Sequence, residues 1–179
     1  MVDDSKNLKD KIFAYKGLGM IGSADIIGAA ITGIFWLSIA SFIEVEEYGQ
    51  IHYLIGIAGI AYIITLFGTQ QTITVYSAKK INVVSTLFFI SLLIASVTAL
   101  VVFFIYNKPD VSLLVIGYAI NDLSIGYLLG KKLFGNYSKY ILTQRMLVFI
   151  LGFGFYFIFG IEGIIFALAL SYIHFLFLV

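Results

Sequence analysis

Cysteine is absent from this 179-residue chain, and charged residues make up only 12% of it. The missing thiol excludes a disulfide framework, a cysteine nucleophile and a cysteine-based metal site. Soluble domains contain about 25% charged residues, so the scarcity of charge excludes an ordinary water-soluble fold. A single proline, Pro109, leaves long stretches without a residue that would break a helix.

Hydrophobic residues make up 61% of the chain, and its mean hydropathy is +1.03. The first apolar run, residues 20–43, is about 36 Å long as a helix, enough to cross a hydrocarbon core of about 30 Å. We therefore predict an all-α membrane protein with six transmembrane helices in an up-and-down bundle. A cytoplasmic or interfacial segment over residues 1–19 precedes them. The predicted spans lie near residues 20–43, 51–67, 81–106, 111–130, 140–159 and 162–179.

Basic residues are sorted between the two sides that six spans would create. Ten of the 11 Lys and Arg residues fall on the side of the N-terminus, and only Lys108 falls on the other. Cytoplasmic loops carry the excess of basic residues in membrane proteins. The pattern predicts a multi-pass protein of the plasma membrane with a cytoplasmic N-terminus, whereas a soluble protein with buried helices would not sort its charges this way. The ten are Lys6, Lys9, Lys11, Lys16, Lys79, Lys80, Lys131, Lys132, Lys139 and Arg145.

Four patches, taken in order, give the chain a family resemblance. They are Phe35-Trp36 with Glu46-Glu47-Tyr48-Gly49, residues 66–68 through Ala78-Lys79-Lys80, residues 130–134 with Arg145, and residues 159–164 through 169–172. This order resembles the N-terminal half of the polysaccharide and lipid-linked oligosaccharide flippases, in the multidrug/oligosaccharidyl-lipid/polysaccharide exporter superfamily. The chain departs from those proteins at Ala40-Ser41, where relatives commonly carry an Ala-Arg pair.

The resemblance implies one lobe of a two-lobed exporter that flips a lipid-linked oligosaccharide or polysaccharide precursor. Its implied partners are the lipid bilayer, the lipid-linked glycan and a second lobe. Relatives have at least twice as many spans, so the second lobe would be a missing C-terminal half or a second chain. The chain itself would then be a fragment, a truncated reading frame or a half-size protein.

Ionisable residues inside membrane spans are costly, and they mark pathways for substrates and ions. Asp25, Asp122 and Arg145 are the clear examples here. Asp122 and Arg145 lie at similar depth in consecutive antiparallel spans, which predicts a salt bridge between them. In the alternative, Arg145 binds an anionic substrate group, or Asp122 exchanges a proton or sodium ion during transport.

Asp25 begins a small and polar helical face that continues through Gly28, Thr32 and Trp36. This face either lets a second helix pack closely or lines a central cavity. The candidate pathway residues are Asp25, Thr32, Trp36, Asn121, Asp122 and Arg145, with Gln70, Gln71, Gln144 and His174 as further candidates. The phenylalanines and tyrosines are expected mostly to face lipid or the membrane interface.

Nothing in the sequence indicates an enzyme. It has no phosphate-binding P-loop, no nucleophile elbow and no cluster with metal-ligand spacing. We predict no cofactor and no nucleic-acid partner, and we expect transport to be coupled to H⁺, Na⁺ or a substrate gradient. Two alternatives to the flippase lobe stand at this point: a lobe of an ion-coupled multidrug exporter, and a membrane assembly subunit that does not itself transport.

Overall fold

A computed structural model describes the backbone of residues 3–174 and the side chains of residues 15–174. Over this part of the chain the protein forms seven α-helices and no β-strand, which confirms the all-α prediction. The helices are α1 (Asp3–Phe42), α2 (Val45–Leu66), α3 (Thr69–Ala78), α4 (Val84–Tyr106), α5 (Pro109–Gly130), α6 (Phe134–Phe159) and α7 (Ile161–Ile173).

Within the described residues, five stretches of helix are long and apolar enough to cross a membrane. They are Tyr15–Phe42, Val45–Leu66, Val84–Tyr106, Pro109–Gly130 and Phe134–Phe159. The prediction of a multi-pass membrane protein is therefore confirmed. Helix α7 is apolar but shorter, with 13 residues. The predicted sixth span, 162–179, extends beyond residue 174 and so partly lies outside the described residues; a sixth crossing stays a prediction.

Two connections predicted from polar residues are largely helical. Residues 68–80 separate the predicted spans 51–67 and 81–106, but α3 occupies most of them after a break at Phe67 and Gly68, whose φ angles are 32° and 84°. The helix forms because Ile73 and Ser77, one turn apart, are buried on a shared face. The connection between the predicted spans 111–130 and 140–159 is likewise short, since α6 already begins at Phe134.

Helix α5 is the centre of the bundle, packing against α2, α3, α4 and α7. Its residues Val111, Leu114 and Leu123 have no exposed surface. Helix α7 packs against both α5 and α6, while α1 is peripheral and packs mainly against α6. Polar residues on α5 are therefore held inside the bundle, where a membrane protein needs a partner for each of them.

Glycines on α5 bring α3 unusually close. A Cβ atom built on Gly126 would lie 2.7 Å from the Gln70 carbonyl oxygen, and one built on Gly130 would lie 2.5 Å from the Thr74 carbonyl oxygen. Both pairs are spaced by four residues in the same order, so the two helices run parallel. Small residues at such spacing let helix backbones approach within the membrane. This contact docks α3 onto the bundle.

The outward surface of the bundle is apolar, as a lipid-facing surface should be. On α4, Phe89, Leu93 and Phe104 are exposed, and on α1 the exposed residues include Ile26 and Leu37. A soluble monomer rarely exposes so large a contiguous apolar surface. The exposed surface thus agrees with the assignment of these helices to a membrane.

Lys108 and Glu162 form the one ion pair found among the side chains of residues 15–174, joining the turn before α5 to the first turn of α7. This hydrogen bond to Glu162 raises the pKa of Lys108. We expect Lys108→Gln to lower the free energy of unfolding by less than about 1 kcal/mol, because both groups are solvent-exposed. The ion pair contributes fully below the unfolded lysine pKa of about 10.4 and is lost as the pH rises through the higher folded value.

Denaturant unfolding of Lys108→Gln and the parent chain, from about pH 8 to pH 12, measures this difference. It should shrink with pH at the alkaline end and also shrink in high salt, since salt screens exposed charges. A difference that grows with pH would contradict the assignment of the ion pair.

Candidate functional site

Three tyrosine side chains form a row across the bundle. Tyr62 on α2 and Tyr118 on α5 have ring centroids 5.1 Å apart, and Tyr118 and Tyr172 on α7 are 5.2 Å apart. Tyr172 is buried and the other two are half-buried. These separations are typical of favourable aromatic pairs. We call these three residues the tyrosine row; it connects three helices inside the bundle.

Two half-buried charges lie at opposite ends of the tyrosine row. The Tyr62 hydroxyl lies near the Asp122 carboxylate. The Tyr172 hydroxyl lies near the Arg145 guanidinium and the Gln144 amide. Each charge thus has a neutral phenol as its neighbour. A phenol is a weaker partner for a charge than an oppositely charged group.

The predicted salt bridge between Asp122 and Arg145 is not formed. Among the side chains of residues 15–174, no ion pair other than Lys108 with Glu162 is found within 4.0 Å. The prediction was wrong because depth along consecutive helices does not determine which way each helix faces. Helix α7 packs against both α5 and α6. Its residue Tyr172 lies near Arg145.

Helix α1 closes the other side of Arg145. A Cβ atom built on Gly28 would lie 3.3 Å from the Arg145 Cγ. The absence of a side chain at Gly28 therefore leaves room for the aliphatic part of Arg145. One turn earlier, Asp25 accepts a hydrogen bond of 2.8 Å from the Tyr137 hydroxyl of α6, although Asp25 itself is exposed. Asp25 and Gly28 therefore form part of the α1–α6 contact, in agreement with the close-packing alternative.

The remainder of the predicted α1 face points elsewhere. The Thr32 hydroxyl donates to the Gly28 carbonyl of its own helix at 2.8 Å. The Trp36 ring lies 4.6 Å from the His52 ring and 6.1 Å from the Tyr48 ring, both on α2. The predicted face of α1 therefore does not contact a single helix. Its Asp25 end contacts α6, and its Trp36 end contacts α2.

A second set of polar contacts joins α5, α6 and α7. The Tyr140 hydroxyl donates to Asn121 Oδ1 at 2.8 Å, and the Tyr140 ring stacks on His174 with centroids 4.9 Å apart. Gln144, fully buried, donates from Nε2 to Ser171 Oγ at 3.3 Å. The structure thus brings Asn121, Gln144 and His174 into the same region as Asp122 and Arg145.

Two candidates lie apart from this region. Gln70 is half-buried on α3, where its backbone carbonyl faces Gly126. Gln71 is exposed on the same helix. Both belong to the short helix that docks on α5, and neither is near the tyrosine row in the contacts described.

Sequence reasoning missed the tyrosines. They were expected to be mostly lipid-facing or interfacial, yet Tyr137 and Tyr140 donate hydrogen bonds inside the bundle, and three more tyrosines form the tyrosine row. A signal was available in α6, where Tyr137, Ile141, Gln144 and Val148 recur at three or four residues and are all buried. That spacing marks one inward face that mixes polar and apolar side chains.

The region offers hydrogen-bonding groups suited to a polar ligand. A guanidinium can bind a phosphate through two parallel hydrogen bonds. Phenol hydroxyls and amides pair with hydroxyl groups, and the aromatic rings supply apolar faces. Among the described residues no group of three or more His, Asp or Glu could hold a metal ion.

Comparison with protein-family models, with curated proteins and with solved structures found no match to this chain. The resemblance to exporter lobes therefore stays a prediction that rests on the residue patches described above.

Proposed function

We propose that this chain is a lobe of a membrane transporter that flips a lipid-linked oligosaccharide or polysaccharide precursor. The proposal rests on the environment of Arg145. This residue is a half-buried cation on α6, a helix that is long and apolar enough to cross a membrane. Among the described residues its guanidinium has no carboxylate within 4.0 Å, and the Tyr172 hydroxyl lies near it.

A cation in the membrane interior costs several kcal/mol unless an opposite charge or water accompanies it. Structural arginines in such positions normally pair with a carboxylate, and Arg145 does not. A substrate phosphate would supply the missing charge and fit the two-pronged guanidinium. This supports a lipid-linked substrate, whose phosphate groups lie between a sugar and a long apolar chain.

The neighbouring side chains support a glycan as the rest of that substrate. Asn121 and Gln144 provide amides, and the tyrosine row provides hydroxyls and ring faces within the same part of the bundle. Amides and hydroxyls satisfy sugar hydroxyl groups in both donor and acceptor roles. No ATP-binding motif is present, so an ion or substrate gradient would drive the cycle, with H⁺ or Na⁺ as the coupling ion.

One observation favours the alternative of an exporter for cationic compounds. Asp122 is half-buried beside the Tyr62 hydroxyl, and the ring of Tyr118 lies next to Tyr62. A carboxylate flanked by aromatic rings is suited to an organic cation. A subunit that assembles with a transporter without transporting is the third possibility.

Reconstitution into liposomes separates these functions. The complete reading frame is incorporated with a fluorescent polyprenyl-pyrophosphoryl sugar, and translocation is followed by enzymatic modification of the sugars that reach the outer surface. The proposal expects faster exposure of the labelled sugar than in protein-free liposomes. Transport of ethidium without movement of the sugar lipid would favour the exporter, and movement of neither would leave the assembly subunit.

A further inference from the structure

Two neighbouring helices end in the same hydrogen-bonded motif. At the end of α5, Lys131 N–H donates to the Tyr127 carbonyl, Lys132 N–H to Leu129 and Leu133 N–H to Leu128. At the end of α3, Lys79, Lys80 and Ile81 repeat this pattern with Val75, Ser77 and Tyr76. The two helices are parallel and in contact at Gly130. The pairs Lys79-Lys80 and Lys131-Lys132 therefore lie at neighbouring helix ends.

The second lysine of each pair has a left-handed backbone conformation. Lys80 and Lys132 both have φ of 56°. Glycine, and less often asparagine, is the usual residue at this position of a helix C-terminus because it avoids the steric penalty of a Cβ. Lysine is therefore the poorer choice for the backbone at both positions.

Lys132 also lines a cavity of about 330 Å³ between the start of α6 and α1. The polar lining consists of Lys16, Lys132 and Asn136, and the apolar lining includes Met20, Leu133 and Phe134. Among the described side chains, residues 15–174, no carboxylate lines it. The cavity thus combines hydrogen-bond donors and positive charge with an apolar wall, which suits an anionic amphiphile.

The cavity lies where two helical segments that could cross a membrane begin. The apolar stretch of α1 starts at Tyr15 and that of α6 at Phe134. The Ser138 hydroxyl donates to the Met20 carbonyl at 2.9 Å, which holds α1 against α6 beside the cavity. An amphiphile lying at the membrane boundary would therefore meet the lysines with its headgroup and the apolar wall with its chain.

We propose that this cavity binds an anionic phospholipid, with the headgroup phosphate between Lys16 and Lys132 and an acyl chain along Met20 and Phe134. The charge of the sequence on the α5–α6 side of the cavity agrees with this ligand, because residues 123–161 contain no Asp or Glu. The site is separate from the tyrosine row and does not depend on the proposed transport function.

The test uses the purified full chain in a neutral maltoside detergent, titrated with phosphatidylglycerol or phosphatidylcholine and followed by native mass spectrometry. We expect phosphatidylglycerol to bind at least about tenfold more tightly than phosphatidylcholine. Lys16→Gln with Lys132→Gln should weaken phosphatidylglycerol binding about 25-fold, since each lysine near a lipid surface is worth about fivefold.

The matched control is Lys79→Gln with Lys139→Gln, which removes two positive charges without changing a residue that lines the cavity. We expect it to weaken binding less than about threefold, since exposed charges outside the cavity are screened. Equal weakening by the two double variants would overturn the proposal in favour of a diffuse basic surface. Displacement of the lipid by inorganic phosphate alone would overturn it in favour of a free-anion site.

A third variant keeps the test independent of folding. Lys132→Gly removes the cation and relieves the left-handed backbone, so its melting temperature should be no lower than that of the parent chain. Its phosphatidylglycerol affinity should nevertheless fall about fivefold. An unchanged affinity would show that Lys132 does not contact the lipid.

Discussion

Replacing Gly126 and Gly130 together by alanine should lower the free energy of unfolding by about 2 to 4 kcal/mol. Each added Cβ would meet backbone of α3, at 2.7 Å from the Gln70 carbonyl oxygen and 2.5 Å from the Thr74 carbonyl oxygen. Backbone cannot rotate aside as a side chain can, so α3 must move away from α5. Unfolding in mixed micelles, followed by circular dichroism, measures the loss.

The control for this result comes from glycines on other helices. Gly33 on α1 and Gly154 on α6 have nothing within 4 Å of a built Cβ atom. Alanine at these two positions should raise stability by about 0.5 to 1 kcal/mol each, because glycine is a poor helix former. If the two double variants change stability equally, close approach of α3 to α5 is not what makes Gly126 and Gly130 important.

Arg145→Met should reduce sugar-lipid translocation about 100-fold if Arg145 binds the substrate phosphate, since two charged hydrogen bonds are worth about 3 kcal/mol. Arg145→Lys keeps the charge but loses the planar two-pronged geometry, and we expect an intermediate rate. Methionine is close to arginine in length and is apolar, so the variant should retain the melting temperature of the parent. Full activity in a folded Arg145→Met protein would contradict the substrate role.

A charge exchange sharpens the same question. Because Asp122 and Arg145 do not form an ion pair in the structure, Asp122→Arg combined with Arg145→Asp should not restore transport. Each exchanged charge would still face a tyrosine hydroxyl and not an opposite charge. Recovery of the transport rate in the double variant would show that the two residues pair directly at some stage of the cycle.

Apolar runs made the membrane helices predictable, because crossing a bilayer requires about 20 apolar residues and leaves a strong signal. The helix ends were less predictable. Residues 134–139 are polar and basic, yet they continue α6 since Tyr137 is buried and Ser138 bonds to α1. Helix α3 was missed for a related reason: its stability comes from contact with α5, which local sequence does not reveal.

The candidate site was predictable in part. Asn121, Asp122, Gln144 and Arg145 were identified because polar residues are rare in apolar helices, and the structure places all four in one region. Their partners were not predictable. A tyrosine within an apolar helix is equally compatible with lipid and with protein surroundings, and only the rotation of each helix, set by tertiary packing, decides between them.

The break between α2 and α3 has a consequence for biosynthesis. Phe67 and Gly68 interrupt the helix before α3, so this segment cannot simply extend α2 as the chain emerges. Its docking surface, Gly126 and Gly130, is translated 48 and 52 residues after Ala78, the end of α3. We therefore expect residues 69–78 to take their final position late, after α4 and α5 have entered the bilayer.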